Sequence, residues 1–508
     1  MVRTLEHWLL RLVAGLLLLA GLFLTFKIYI AGQPLVALAC LGILAAGTFV
    51  YTSGKAYAYR YLFPGVLTVL VFVVFPLAYT FSIGFTNYSS RNLLEYDRAR
   101  QYFLDETYVV DGESYAFTLH ADGPAFRVRL ESEHGDIFVT DPLALQNAVP
   151  LTVKVKRQEA ADAPLSEPAD TKTLIANLKA LKLLSVTLPS GQIVSASGLR
   201  EFAPVRKLYL AQPDGSLKNE QDGSLIKPNM ATGFFETSTG EALQPGFKVG
   251  VGWSNFTRIF TDKAFSEPFV RIFGWTVVFA GLTVLFAFSV GIVLAVLMSW
   301  EALRFRKVYS VLLFLPYAVP GFISILVFKG LFSENAGEIN LILQGLFGIK
   351  PHWFTDPFLA KVMLLIVNTW LGFPYMMLLS MGLIKAIPSD LYEASAIAGA
   401  GPLTNFFKIT LPLIAKPITP LLISAFAFNF NNFVLIALLT NGRPDFLDTK
   451  VPAGTTDLLV SYTYRIAFQD SGQNFGLAAA ISTVVFLMVA VLSIINLRLT
   501  KVNQVEVR

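Results

Sequence analysis

The sequence predicts an all-α polytopic membrane protein of about eight transmembrane helices carrying a large β-rich insertion. Three observations predict it. First, 54% of the 508 residues are hydrophobic and only 15% are charged, well below the roughly 25% of an ordinary soluble domain. Second, long runs without Asp, Glu, Lys or Arg recur along the chain, and about 20 apolar residues suffice for a helix to cross the hydrocarbon core. Third, charge is unevenly divided. Residues 87–269 hold 19 Lys and Arg against 23 Asp and Glu, a net of −4, while the rest holds 21 against 12, a net of +9. A basic, apolar frame around a mildly acidic middle suits a membrane protein with one extramembrane domain. No basic cluster interleaved with aromatics accompanies the overall charge, so no nucleic-acid partner is expected.

Residues 1–86 read as three transmembrane helices. The first span, about 8–30, contains Arg11 and Lys27, whose long side chains can reach the interfaces. Its apolar run is too long for a signal peptide and lacks a small-residue cleavage site, so it is expected to be retained. The charge-free runs 28–54 and 61–90 supply the next two spans. The lone Cys40 lies in the first of these runs and excludes an internal disulfide framework.

Residues 87–269 read as β. Apolar and polar residues alternate in LTVKVKR (Leu151 to Arg157), FRVRLES (Phe126 to Ser132) and SVTLPSGQIVSA (Ser185 to Ala196). Turns are signalled at Asp111-Gly112, Asp122-Gly123, Asp214-Gly215 and Asp222-Gly223. One helical stretch, Thr171 to Leu184, interrupts the strands. The size suits one independent sandwich-like domain, either decorative or a docking surface for an extracytoplasmic partner.

Residues 270–500 read as the transmembrane core, with five spans in the charge-free runs 272–300, 308–328, 362–384, 417–442 and 471–497, followed by a tail at 501–508. Lys and Arg fall in alternate gaps: Arg3; Lys55 and Arg60; Arg304, Arg306 and Lys307; Lys385, Lys408 and Lys416; Arg498, Lys501 and Arg508. By the positive-inside rule these gaps and both termini are cytoplasmic, and 87–269 is periplasmic, in a bacterial inner membrane.

The runs contain no ionisable residue of the kind a coupled carrier uses to hold protons or ions. No G-x-x-x-x-G-K-[ST] occurs; Gly54-Lys55 is followed by Ala56. His7, His120, His134 and His352 are scattered without metal-ligand spacing. No nucleophile and base are arranged for covalent catalysis. The energy for any transport is therefore expected to come from elsewhere than this chain. The polar residues inside the spans are neutral. Asn429 and Asn432, three apart in ISAFAFNFNNFVLIALL, are expected on one helix face with Ala425 and Ile436. Carboxamides both donate and accept, which suits sugar hydroxyls, while Phe428 suits the apolar face of a pyranose. NTWLGFPYMM (Asn368 to Met377) and LPYAVPGF (Leu315 to Phe322) are glycine- and proline-broken stretches that can bend and expose backbone. Asparagines that only join membrane helices to each other remain the alternative reading.

SDLYEASAIAGAGPLTNFFKITLP (Ser389 to Pro412) is expected outside the membrane as helix, turn and helix. Ser389 is expected to cap the first helix, with Asp390 and Glu393 in its first turns. Gly399 and Gly401 are expected to break it, Pro402 to start the second, and Leu411-Pro412 to end that one. Ala394, Ser395, Ala396 and Ala398 make the first helix thin enough to enter a cleft on another protein. Glu393-Ala394-Ser395, Gly399 and Ile409-x-Leu411-Pro412 match the EAA---G---------I-LP pattern, and the chain here resembles membrane subunits of ABC importers. The resemblance implies that this helix docks into a groove of an ATPase subunit and that Glu393 meets a basic residue there.

With RKVYSVLLFLPYAVPGFISILVFKGLF (Arg306 to Phe332), NTWLGFPYMM and FAFNFNNFVLIALLTNG, essentially the whole chain resembles the larger permease subunit of maltose/maltodextrin importers. That resemblance implies the type I permease fold. It implies sugar contacts from Tyr317, Leu371, Gly372, Tyr375, Phe428, Asn429 and Asn432. One departure is Ala425, where the pattern has a serine, so one hydroxyl contact is expected to be missing. It also implies a second, smaller permease subunit, an ATPase dimer holding ATP and Mg, and a periplasmic binding protein delivering maltose or maltodextrin. No cofactor and no metal are expected on this chain, and no covalent chemistry. A permease for another neutral oligosaccharide or polyol is the alternative, and a membrane receptor with a periplasmic sensing domain a remote one.

Overall fold

The computed structural model describes residues 2–145, 150–158, 164–300, 302–470 and 472–499; the expected tail 501–508 lies outside them. The described residues fall into two compact units. One takes Thr86–Gly252 with Asp470–Phe475, and the other takes the remainder.

The helical unit begins with α1 (Val2–Ile30) and α2 (Pro34–Thr52), the latter started by a proline whose missing N–H costs nothing at that position. Next come α3 (Tyr59–Val69), a π turn (Leu70–Val74) and α4 (Phe75–Ile83), which form one helix, Tyr59–Ile83.

The β-rich unit opens with α5 (Tyr96–Asp105) and β1 (Thr107–Val109). Strands β2 (Tyr115–Asp122), β3 (Ala125–Ser132), β4 (Ile137–Thr140) and β5 (Leu151–Arg157) follow as an antiparallel run. Helix α6 (Thr171–Lys182), capped by Asp170 accepting from Thr173 N at 2.9 Å, then crosses over to β6 (Leu184–Thr187). The crossover makes β5 and β6 parallel, with Leu151 opposite Leu184. β7 (Ile193–Ala196) and β8 (Glu201–Ala203) return the sheet to β2, where Tyr115 faces Phe202. The result is a closed barrel, not the sandwich the strand pattern suggests. Its inward positions, including Phe117, Leu119, Val128, Leu130, Val186 and Phe202, form one core. β9 (Val205–Lys207) pairs with β1. β10 (Tyr209–Ala211), β11 (Leu217–Asn219), β12 (Leu225–Asn229), β13 (Phe234–Thr237) and β14 (Ala242–Leu243) form a five-stranded meander. It packs Tyr209, Leu217, Ile226 and Phe235 on Ala99 and Phe103 of α5.

The helical unit resumes with α7 (Ser254–Thr261) and α8 (Lys263–Ser299). Residues 253–269 are thus largely helical and belong with the helical unit. Then come α9 (Arg306–Ala318) and α10 (Gly321–Leu331), whose axes meet at 90°. α11 (Glu338–Phe347) leads to α12 (Pro357–Lys385), and α13 (Ser389–Ile397) follows. α14 (Pro402–Asn405), a π turn (Phe406–Thr410) and α15 (Leu411–Phe430) run as one helix, Pro402–Phe430. The expected stop at Leu411-Pro412 does not occur. The wide turn just before Pro412 accommodates the ring and its missing donor, as the turn before Pro76 does in Tyr59–Ile83. α16 (Phe433–Leu439), α17 (Leu459–Phe468) and α18 (Phe475–Leu499) complete the chain order.

Among the described residues, five helices are long and apolar enough to cross a membrane: Leu12–Ile30, Tyr59–Ile83, Lys263–Ser299, Pro357–Lys385 and Pro402–Phe430. The bent α9–α10 pair counts as a sixth if it forms one span. Val36–Thr52 and Phe475–Val491 are apolar but shorter. α8 and α12 pack in parallel: Thr283 meets Asn368, and Gly291 meets Met376. A Cβ on Gly291 would lie 2.7 Å from Met376 Cβ and 2.8 Å from Met377 N, so glycine sets how closely these helices approach.

Candidate functional site

A cavity of about 620 Å³ lies within the helical unit. All seven residues expected to contact sugar line it: Tyr317 from α9, Leu371, Gly372 and Tyr375 from α12, Phe428 and Asn429 from α15, and Asn432 just beyond. Three local features bring them together. Val319 is extended (φ −98°, ψ 130°) and Pro320 is the N-cap of α10, so the chain turns sharply beside the cavity. Pro374 lies inside α12 without ending it, so the helix presents Leu371, Gly372 and Tyr375 from one continuous element. Finally, the helix breaks at Asn431.

That break corrects the expectation of a single helix face for Asn429 and Asn432. α15 ends at Phe430, and Asn432 is the N-cap of α16, its side-chain oxygen accepting from Leu435 N at 3.3 Å. Both asparagines nevertheless turn to the same partner, the buried Asn368 of α12. Asn368 Nδ2 donates to Asn429 Oδ1 at 2.7 Å and to Thr283 Oγ1 at 3.3 Å. Asn432 Nδ2 donates to Asn368 Oδ1 at 3.2 Å. Asn429 Nδ2 also donates to Ala425 O at 2.9 Å. Each carboxamide has two N–H donors and two acceptor positions. Asn429 and Asn432 therefore each keep one donor and one acceptor position for a solute.

Asn368 and Thr283 were not among the expected contacts. Asn368 carries a legible signal, being a third carboxamide inside a charge-free run. Thr283 carries none, since threonine in an apolar helix commonly bonds its own backbone. The rings of Tyr317, Tyr375 and Phe428 stand open, Phe428 at 72% exposure. Ala425 lines the cavity without a hydroxyl, while the adjacent Ser424 also lines it and donates to Pro420 O at 3.0 Å. None of the cavity's lining residues is ionisable apart from the two tyrosines. Such a wall suits an uncharged polar solute, because it presents no fixed charge that would be left desolvated and unpaired.

The second expected site is at α13. The helix starts at Ser389 itself with Pro388 in the cap position, so Ser389 does not cap. Already inside the first turn, its hydroxyl instead lies 3.5 Å from the Asp390 carboxylate. Gly399 has φ +76°, the left-handed value that closes the helix end, with Ala400 N donating to Ser395 O at 3.0 Å. Ser395 Oγ donates to Asn405 Oδ1 at 2.5 Å, and Tyr392 OH lies 2.9 Å from Thr410 Oγ1. These bonds hold α13 against α14 and its π turn. Glu393 and Ala394 are exposed, Ile409 and Leu411 are half-buried, and Pro412 is exposed. Glu393 forms no ion pair among the described residues. The structure adds exposed apolar residues to this segment, most exposed among them Ile397, Leu403 and Phe407.

Comparison with known proteins places these sites in context. Residues 94–252 match the family described as the maltose transport system permease protein MalF P2 domain. Residues 287–502 match the binding-protein-dependent transport system inner membrane component family. The maltose/maltodextrin transport system permease protein MalF of Escherichia coli K12 is 50% identical over 97% of this chain and 96% of its own length. The protein of the same description from Vibrio cholerae serotype O1 is 49% identical over 95% of this chain and 93% of its own. A solved chain of a bacterial ABC transporter that imports the acidic polysaccharide alginate is 23% identical, with a TM-score of 0.43, covering 49% of this chain and 83% of that one.

Proposed function

The chain belongs to the maltose/maltodextrin transport system permeases, and on that premise we propose that the cavity beside Asn368 holds the sugar in transit. The protein is the membrane permease of an ATP-driven importer of maltose and maltodextrins, and ATP hydrolysis lies in partner subunits. One observation carries the cavity assignment: three separate segments deliver three carboxamides and three open aromatic rings to one uncharged cavity. The spare donors and acceptors of Asn429 and Asn432 meet sugar hydroxyls, and Tyr317, Tyr375 and Phe428 cover the ring faces.

Eight spans complete the reading, with α2 and α18 crossing beside the longer helices. Both termini and α13 are cytoplasmic, and the β-rich unit is periplasmic. Lys and Arg favour this orientation: Arg304, Arg306, Lys307, Lys385, Lys408 and Lys416 all follow the ends of α8 and α12 or lie about the start of α15. α13 docks on an ATPase subunit through Glu393, Ala394 and the apolar trio Ile397, Leu403 and Phe407. A second permease subunit, an ATPase dimer carrying ATP and Mg, and a periplasmic binding protein complete the assembly.

A second reading is favoured by the 2.7 Å Asn368–Asn429 bond: the carboxamides serve only to join helices. Asn432→Ala separates the two. As a sugar contact, its loss raises the KM for maltose uptake about five- to thirtyfold, or about 1–2 kcal/mol, with normal recovery of the assembled importer. Unchanged KM with poor recovery would leave only helix packing.

A further inference from the structure

Helix α16 cannot set its own pose. The chain breaks at Asn431, so no continuous helix passes from α15 into α16, and the two turns of Phe433–Leu439 are too few to be stable alone. Yet this short element gives the cavity two of its lining residues, Asn432 at the N-cap and Leu435. Its far end runs into a buried polar cluster. Thr440, the C-cap, accepts from Thr456 Oγ1 at 2.9 Å. Asp457, the next residue, is fully buried and accepts from Gly454 N, Ser461 Oγ and Arg465 Nη1, each at 2.8 Å. Its carboxylate lies under the turn that leaves α16: Gly442 there has φ +79°, and a Cβ on it would collide with that carboxylate. Arg465 of α17 is buried too, and its Nη2 donates to Asp445 Oδ1 at 2.6 Å. Leu458 packs with Leu435, Ile436 and Leu439 of α16, and Leu459 N donates to Thr276 Oγ1 of α8 at 3.1 Å.

Apolar side chains of matching volume commonly hold a buried loop as firmly as an ion pair does, because two buried charges regain by mutual attraction little more than they lose on leaving water. What a forked guanidinium adds is a single permitted geometry. Here the fork ties the loop after α16, through Asp445 and Asp457, to α17. Neither Asp457 nor Arg465 lines the cavity. The rod between the cluster and the cavity is short: Asn432 and Thr440 are about 12 Å apart at 1.5 Å per residue, so a tilt at one end is passed to the other. We propose that the buried Asp457–Arg465 pair is a positioning device for sugar binding, fixing the far end of α16 and thereby the pose in which Asn432 meets the sugar. This role rests on the reading of Asn432 as a sugar contact.

The test follows maltose uptake by the complete importer in proteoliposomes, as KM and as maximum rate per recovered complex. Asp457→Asn with Arg465→Gln removes both charges and so leaves no lone buried one. Arg465→Lys keeps the charge but cannot fork to both aspartates. Each raises the KM about three- to tenfold, a typical coupling between residues that act through one element. Thr456→Val, which cuts only the bond to Thr440, gives a smaller rise and serves where a charge variant fails to fold. In an Asn432→Ala background the same changes raise the KM no further, because the group they position is gone. An unchanged KM in the variants that assemble overturns the proposal, and lower recovery beside it assigns the pair to fold stability alone. A rise that multiplies with that of Asn432→Ala also overturns it. If Asn432→Ala itself leaves the KM unchanged, the sugar-contact reading falls and this role with it.

Discussion

At the scale of single residues, Asn368 decides how the cavity presents itself. It spends both N–H groups on Asn429 and Thr283 and accepts from Asn432. Asn368→Leu keeps the volume but strands a carbonyl on the buried Asn429, at about 1–3 kcal/mol, and an N–H on the half-buried Asn432 at a smaller cost. Maltose uptake should fall further than in Asn432→Ala, and an unchanged uptake rate would contradict this role. A different residue contributes to acid stability. Glu334, in the loop after α10, is hydrogen-bonded by the His352 ring at 3.1 Å, which holds its carboxyl below the usual carboxylate range. Phe354 N and the Thr355 hydroxyl add to this. A lowered carboxylate stabilises the fold above its unfolded pKa and loses that contribution as pH falls through the folded value. Melting of the detergent-solubilised protein should therefore steepen below about pH 4.5, and Glu334→Gln should flatten that limb; identical limbs would refute it. The site asparagines were legible because neutral polar residues stand out in a charge-free run. The Glu334–His352 pair was not, because its partners are 18 residues apart and nothing in that spacing marks a contact.

At the scale of elements, proline is the least reliable stop signal in this chain. Pro76 and Pro412 each follow a π turn that widens the helix and lets it continue. The alternation in Leu151–Arg157 and Phe126–Ser132 was a good guide to β5 and β3, because the barrel wall has one buried face. Barrel closure was not legible. It depends on the parallel β5–β6 pair across the α6 crossover, and local periodicity does not report which strand meets which. The turn after α13 makes a sharper prediction. Gly399→Val puts a β-branched residue at φ +76°, at a cost of roughly 1–2 kcal/mol, and re-aims α13 while the spans stay packed. The importer should assemble with its ATPase subunits but transport poorly, as measured by co-purification against uptake. Normal uptake would show that the pose of α13 is not critical.

At the scale of the whole molecule, the proposed reading is mechanical: sugar is held in the uncharged cavity and energy enters through α13. Parallel packing of α8 on α12, set by Gly291, places the Asn368 network midway along both helices and α13 beyond the end of α12. Composition and charge-free runs made the membrane class legible, since hydrocarbon imposes length and neutrality on every span. The central claim is coupling between sugar delivery and partner ATP hydrolysis. The most direct measurement is the ATPase rate of the full importer in liposomes, with and without the binding protein and with and without maltose. The account predicts stimulation only when both are present. Co-purified ATPase whose rate ignores maltose would contradict the sugar assignment, and failure of any ATPase subunit to co-purify would contradict the role of α13.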